Sequence, residues 1–345
     1  DELQKIESKV NDIFFFFRAN KLPFTKEKFL EQFEAKKNET NSKFDFFDCF
    51  EEYLTSGSLI KSYNTIKAQR TVKNYLKTFE EKTGFVITFD KLNDLFYEEL
   101  MKYSFYKKEI KNNYFAKIIA VLKSFVRWSI DKNYSSNRDF EKFKGIEHDI
   151  DIIYLTYDEL IKLYNHDFEN SRLNHVKDFY CMGCFSGLRF SDLSQLHRAN
   201  ITGTHINISI QKTKTQNHII SLNKFSKEIL NRYRGTIYEP LPKISQQKFN
   251  DYIKECCEII KIDKPTTITW FIGAKKVQNT LPKYQLITSH TARKTFITNS
   301  LLLGMEPKAI KKIANIKKDA VLDKYMKITE EYTDEQMDKW NNHGK

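Results

Sequence analysis

Four side chains in the second half of the chain have the types and order that binding and attacking a phosphodiester requires. Arg189 lies in SGLRFSDL, just after a predicted helix that ends in glycine, and Tyr325 lies in LDKYMKIT near the carboxyl end. His290 and Arg293 are three residues apart in SHTARKTF, a spacing that puts both on one face at the start of a helix. Arginine forks bind phosphoryl oxygens in bidentate fashion and stay charged at any usable pH.

A lysine completes this set, and the segment QKTKTQNH offers either Lys212 or Lys214. Phosphoryl transfer depends mainly on positioning and charge neutralisation, which two arginines can provide where other enzymes use Mg²⁺. A tyrosine hydroxyl can be the nucleophile, a histidine can take a proton, and a lysine can give one to the leaving 5′ oxygen. The sequence places no Asp/Glu pair of the two-metal type beside them, so we predict a route without metal or other cofactor. Alone, each of these residues would be interpreted as structural; their order and context support the hypothesis.

The elements that must position these residues are mostly helices. A helix over 172–186 ends at Gly187, and Ile206, Ile208 and Ile210 alternate before a polar turn, which predicts a β-hairpin with lysines at its tip. Thr156 followed by Glu159 has the spacing of a capping box. Further helices are predicted over 223–235, 245–262, 290–304, 306–315 and 319–327. The fold class is therefore mainly α with a small antiparallel sheet.

The periodicity of the first half predicts a separate helical bundle. Residues 1–41 indicate helix, loop and helix, and 42–138 contain four helix-like segments with short connections. One segment carries basic residues off its apolar face, which fits either a solvated surface or a nucleic-acid contact: Lys67, Arg70, Lys73 and Lys77. A polar stretch over 139–152 is a predicted linker, followed by a catalytic domain over 153–330 and a tail over 331–345.

Composition narrows the class of protein and its partners. The chain has 345 residues, 57 Lys and Arg against 45 Asp and Glu, a net charge of +12, 40% hydrophobic residues, and few glycines and prolines. These values exclude global disorder and collagen-like sequences, and the charge favours a polyanion or an anionic membrane surface as partner. No apolar stretch is long enough to span a bilayer, so we predict a soluble, cytoplasmic protein.

The cysteines include one pair, Cys181 and Cys184, in C-x-x-C spacing. A zinc site would need a second pair at suitable spacing, and Cys256 and Cys257 are adjacent. The run around the first pair is apolar and helical, which favours two small core residues over a metal site. The five cysteines of the chain are interpreted as reduced thiols.

These segments resemble the tyrosine recombinases of the phage-integrase type, in particular the integrases of conjugative or mobilizable transposons from Bacteroides-like bacteria. The resemblance covers about residues 44–330. NTIKAQRTVKNYLKTFEEKTG is similar to the SAM-like core-binding domain of that family, and VKDFYCMGCFSGLRFSDLSQL to the box around its first arginine. QKTKTQNHIISLN resembles its lysine-bearing hairpin, SHTARKTF its H-x-x-R box and KYMKIT its nucleophile segment.

The resemblance implies a role for each matched residue. Arg189 and Arg293 would clamp the scissile phosphate, His290 would assist as acid or base, and Tyr325 would form a 3′-phosphotyrosine. The general acid would be Lys212, with Lys214 as the alternative because this hairpin is one residue longer than usual. Asp192 matches an acidic residue that supports the site without reacting.

One position departs from the family pattern. Relatives have a second His or Trp nine residues before the tyrosine, in a G-H segment, and that position is Ile316 here. Isoleucine cannot donate a hydrogen bond, although Asn315 or Lys317 would substitute if the loop were shifted. Losing one such donor costs about 2.7–4 kcal/mol of transition-state stabilisation.

The activity implied by the resemblance is site-specific cleavage and rejoining of double-stranded DNA through a Holliday junction, for integration or excision of a mobile element. It further implies a homotetramer in the synaptic complex, nucleoid association, and host DNA-bending or excision factors, with no membrane partner. We expect 1–41 to be the connector after an arm-binding domain that this chain lacks, and 331–345 to pack on a neighbouring protomer or back in cis. The alternatives are a DNA-binding accessory protein weakened at Ile316, or an enzyme that relaxes DNA like a type IB topoisomerase.

Overall fold

The computed structural model describes residues 44–210 and 215–326, and before and after them residues 7, 10–11, 13–15, 17–18, 23–30 and 337. Most of the predicted connector over 1–41 and of the tail over 331–345 therefore lies outside the described residues. The chain divides into two compact units. The first contains 1–149 with 270–277, and the second contains 150–269 with 278–345.

The first unit is a helical bundle with an aromatic core. Its α-helices are α1 (Phe46–Ser58), α2 (Tyr63–Thr83), α3 (Asp94–Lys102) and α4 (Asn112–Asp131), with a π-helical turn at Tyr103–Lys107. Three of these helices begin at capping side chains, since Asp45, Ser62 and Asn93 accept from backbone N–H groups at the starts of α1, α2 and α3. Buried phenylalanines from several elements meet in the core: Phe50, Phe79, Phe96, Phe115 and Phe125.

Part of the segment predicted as a linker contributes to that core. Residues Asp139–Lys142 form a 3₁₀ turn, and both Phe140 and Phe143 are buried in the apolar cluster of the first unit. Polar residues surround these two phenylalanines in the sequence, so their burial was not predicted.

The second unit contains the remaining elements. Its α-helices are α5 (Tyr157–Asn165), α6 (Ser171–Ser186), α7 (Phe190–Leu193), α8 (Lys224–Tyr233), α9 (Gln246–Ile259), α10 (Ser289–Leu302), α11 (Pro307–Ile313) and α12 (Asp319–Met326). Its strands β1 (Asn200–Ile201), β2 (His205–Ile210) and β3 (Thr215–Ser221) form an antiparallel sheet in that order. A second hairpin joins β4 (Pro265–Ile272) to β5 (Lys275–Pro282), and its turn groups with the first unit.

Helices α6 and α10 form the centre of the second unit. Nearly every residue of α6 from Val176 onward is buried, and so are most residues of α10. A helix buried on all sides belongs to a core, which explains why the C-x-x-C pair of α6 packs inside as predicted. The predicted capping box is present on α5, because the Thr156 N–H donates to Glu159 at 2.8 Å and the Glu159 N–H donates to Thr156 at 3.3 Å. The mainly helical fold class with small antiparallel sheets is confirmed.

The described residues contain no helix that is both long and apolar enough to cross a membrane. In the same part of the chain, no group of three or more His, Cys, Asp or Glu side chains is arranged to hold a metal ion.

Candidate active site

Arg189 is placed by the sharp turn at the end of α6. Gly187 has a left-handed backbone with φ 69°, and Arg189 is the residue from which α7 begins. Its Nη1 is 3.8 Å from Oδ2 of Asp192, whose side chain is 1% exposed. That Nη1 atom is buried and makes no hydrogen bond to any described residue. A buried guanidinium nitrogen without a hydrogen bond is costly, so the site is suited to an anionic ligand that would supply one.

Arg293 faces the same turn from α10. Its guanidinium is buried, and Nη1 donates a 2.7 Å hydrogen bond to the carbonyl oxygen of Gly187. Burial and the nearby charge of Arg189 lower the pKa of Arg293 to about 10, while Tyr325 and Asp192 act in the opposite direction. This pKa is still well above neutral, so the side chain keeps its charge. The charge of Arg189 affects the pKa of Arg293, so the two guanidinium groups lie near each other.

Tyr325 lies on α12 and is 8% exposed. Burial raises the pKa of its hydroxyl, and the charge of Arg293 partly reverses that shift. Its ring belongs to a small apolar cluster with Phe296, Leu322 and Ile316. At neutral pH the hydroxyl is therefore protonated, and an attack by its oxygen needs a base.

His290 is the second residue of α10, and its side chain is exposed. Two side chains of α9 hold the start of α10 in place, a contact that the sequence did not reveal. Gln246 Nε2 donates to Ser289 Oγ at 3.0 Å, and Asn250 Oδ1 accepts from the Ser289 N–H at 2.8 Å. Gln246 and Asn250 are four residues apart, so both lie on one face of α9. This spacing is the sequence signal that could have indicated a contact made by that face.

The two candidate lysines, Lys212 and Lys214, lie outside the described residues. The strands on either side of them are described, with Ile210 at the end of β2 paired with Thr215 at the start of β3. Strand β2 therefore ends at Ile210 and β3 begins at Thr215, on either side of the segment that carries the two lysines. Which lysine acts stays a prediction.

The segment after α11 explains the unusual Ile316. Asn315 has φ 46°, its N–H bonds to the carbonyl of Lys312, and the N–H of Ile316 bonds to that of Lys311. This pattern is a Schellman motif, in which the residue after the left-handed one packs back on the helix. Ile316 is accordingly buried in the cluster that contains Tyr325, whereas Lys317 is exposed. The side-chain Nδ2 of Asn315 donates a hydrogen bond to Thr215 Oγ1 at 3.1 Å.

The position of Gly187 leads to a stability prediction. A Cβ atom there would lie 2.6 Å from the ring of Phe296 at a φ of +69°, whereas Gly235 at φ +73° has no atom within 4 Å of such a Cβ. We expect Gly187→Ala to lower the free energy of unfolding by about 2–4 kcal/mol, from overpacking added to backbone strain, and Gly235→Ala by about 1 kcal/mol from strain alone. Thermal and urea unfolding of the two variants measures the difference, and equal losses would contradict the contact with Phe296.

Comparison with known proteins bears on the first unit and on the fold. The family model described as a phage integrase SAM-like domain matches residues 45–145. No curated protein matches the sequence of this chain.

Several solved structures share the fold at low sequence identity. A lambda integrase dimer bound to a COC′ core site aligns with a TM-score of 0.62 at 13% identity, covering 82% of this chain and 95% of that one. The Tn1549 transposon integrase in complex with transposon right end DNA aligns with a TM-score of 0.61 at 14% identity, covering 86% and 100%. A lambda integrase tetramer bound to a Holliday junction gives a TM-score of 0.59 at 14% identity, covering 83% and 81%.

The chain therefore contains a region similar to the phage integrase SAM-like domain and shares its fold with the lambda and Tn1549 integrases. The match over residues 45–145 and the shared fold are what the resemblance to tyrosine recombinases predicts. The finer resemblance to integrases of Bacteroides-type elements stays a prediction.

Proposed function

We propose that this protein is a site-specific tyrosine recombinase that integrates or excises a mobile element. The observation that carries the proposal is the meeting of Arg189, Arg293 and Tyr325, brought together from three elements by the packing of the second unit. Nη1 of Arg189 is paired with Asp192 at 3.8 Å but makes no hydrogen bond, and a DNA phosphate beside the second guanidinium would supply an acceptor.

The proposed reaction is a transesterification at one DNA strand. The Tyr325 oxygen attacks the phosphorus, the bond to the 5′ oxygen breaks, and a 3′-phosphotyrosine holds the strand. The guanidinium groups of Arg189 and Arg293 neutralise the charge that develops on the phosphoryl oxygens. His290 takes the tyrosine proton, and Lys212 or Lys214 gives a proton to the leaving oxygen. Attack by the 5′-hydroxyl of a partner strand reverses the step, and its repetition on the second strand resolves a Holliday junction.

The partners follow from the same proposal. The substrate is double-stranded DNA carrying an attachment site, for which the net charge of +12 gives general attraction. Two of the similar structures are a DNA-bound integrase dimer and a tetramer on a Holliday junction, which supports a homotetramer in the synaptic complex here. We infer a cytoplasmic location on the nucleoid, with host DNA-bending or excision factors as further partners.

The decisive experiment uses nicked suicide substrates that carry the attachment site of the element. Cleavage releases a short strand that diffuses away, so the covalent protein–DNA adduct accumulates and is counted on a denaturing gel. Specific binding without any adduct would overturn the proposal. Holliday-junction products identify strand exchange, whereas relaxed plasmid without them would indicate a topoisomerase-like activity.

The buried Ile316 favours one second candidate, a DNA-binding accessory protein of the same fold with a weakened site. The variant Ile316→His distinguishes a recombinase from such an accessory protein, because it restores a hydrogen-bond donor at that position. For a recombinase limited by this missing donor, we expect adduct formation to accelerate, by up to about 10²-fold. Ile316→Val is the matched control, since it keeps the apolar contact and adds no donor. A rate that stays unchanged or falls would show that Ile316 serves only packing.

A further inference from the structure

Strand β3, which begins directly after the lysine-bearing segment, is hydrogen-bonded to the end of α11 and to the residues that lead into α12. Nε2 of His218 donates to the carbonyl oxygen of Ile313 at 2.9 Å, and Nδ2 of Asn315 donates to Oγ1 of Thr215 at 3.1 Å. His218 is 8% exposed, so its contact is buried. Each contact joins parts of the chain about a hundred residues apart, and neither follows from local secondary structure.

The backbone explains why asparagine occupies position 315. The left-handed conformation that ends α11 suits glycine best and asparagine next. Glycine would satisfy the backbone equally well, but it has no side chain to reach Thr215. The contact across to β3 is therefore what asparagine adds at this position.

These contacts lie close in sequence to the candidate general acid and to the candidate nucleophile. Thr215 directly follows Lys214, and Asn315 precedes Tyr325 by ten residues in a segment that runs straight into α12. An ion pair between Lys311 and Asp319 links the last turn of α11 to the start of α12. A general acid must lie within hydrogen-bond reach of the leaving oxygen, and a misplacement of about 1 Å can cost about 10²-fold in rate.

We propose that Asn315 and His218 are positioning residues for the general-acid lysine, Lys212 or Lys214. They hold the base of its turn on the segment that carries the nucleophile. This inference rests on the proposed recombinase function and adds residues that act through the lysine without touching DNA.

The chemistry of the leaving group provides a direct test. When the P–O5′ bond breaks, the electron pair stays on the 5′ oxygen, which takes a proton from the lysine. A bridging sulfur in place of that oxygen leaves as a thiolate and needs no proton, because thiols have a pKa of about 8.5, far below that of an alcohol. A defect in positioning the acid should therefore disappear with the sulfur substrate, whereas a defect in folding or in nucleophilic attack should remain.

The experiment measures single-turnover adduct formation on two nicked duplexes, one with a bridging oxygen and one with a bridging sulfur. Asn315→Gly keeps the left-handed backbone and removes the amide, and Thr215→Val and His218→Leu each remove a contact from the hairpin side. We expect these variants to be slower by about ten-fold or more on the oxygen substrate, and within about two-fold of the parent protein on the sulfur substrate. Lys212→Ala and Lys214→Ala on the same pair show which lysine is the acid.

A matched control is available in the first unit. Asn133 has φ 60° after α4, and the same pair of backbone bonds closes there, from Asn133 to Ile130 and from Tyr134 to Ser129. Asn133→Gly should leave both rates unchanged. Equal slowing of the Asn315, Thr215 and His218 variants on both substrates, or no slowing on either, would overturn this inference alone. Absence of any adduct from the parent protein would overturn the proposed function as well.

Discussion

Tyr325→Phe should abolish the covalent adduct completely while leaving specific DNA binding nearly unchanged. The substitution removes only the hydroxyl, and the ring keeps its place in the apolar cluster with Phe296 and Leu322. Without that oxygen no phosphotyrosine ester can form. Denaturing gels detect the adduct, and electrophoretic mobility shifts in parallel measure binding.

The control for this variant is another tyrosine of the carboxyl-terminal region. Tyr332 follows the candidate nucleophile by seven residues and lies outside the described residues. Tyr332→Phe should form adduct at the parental rate. If Tyr332→Phe lost the adduct and Tyr325→Phe kept it, the nucleophile would be misassigned, and peptide mapping of the adduct would decide the matter.

Arg293→Lys should slow cleavage by about 10²–10³-fold, the cost of one lost donor to the transition state. Lysine keeps a positive charge but has one nitrogen in place of the planar fork, so it loses the separate donors that reach the carbonyl oxygen of Gly187 and the phosphoryl group. Arg189→Lys should lose activity to a similar extent, because its buried Nη1 would no longer be available to the phosphate. Single-turnover cleavage of the suicide substrate measures both variants.

The matched control is Arg172→Lys in the same unit. Arg172 forms a 3.5 Å ion pair with Glu255, and both side chains are nearly half exposed. Exposed ion pairs contribute little, so this variant should cleave within about three-fold of the parent. An Arg293→Lys protein that cleaved as fast as Arg172→Lys would remove Arg293 from the proposed mechanism.

Much of this site was predictable because its motifs are local. Short stretches of sequence show that a helix ends in glycine just before Arg189. They also show the three-residue spacing of His290 and Arg293. The bond from Arg293 to the Gly187 carbonyl could not be predicted, since it joins residues 106 positions apart through packing. The roles of the individual site residues remain predictions that the variants above test.

Two differences between sequence and structure have physical causes. The hairpin of β4 and β5 was not predicted; none of its strand residues is fully buried, so it has no apolar face packed in a core. Helix α11 ends at Ile313, two residues before the predicted end at 315. Asn315 was the signal for that end, since asparagine is one of the few residues that adopt the left-handed cap readily.

The carbonyl of Gly187 and the two arginines around it also bear on how stable the free protein can be. Burying Arg293 near the charge of Arg189 opposes folding, because burial first and that charge second lower the pKa of Arg293. A phosphate bound between them would relieve this repulsion, so DNA that binds only the folded unit must raise its melting temperature. A neutral side chain at position 189 would remove the repulsion but would leave the buried carboxylate of Asp192 without its ion pair, so only a bound phosphate relieves the repulsion without that cost.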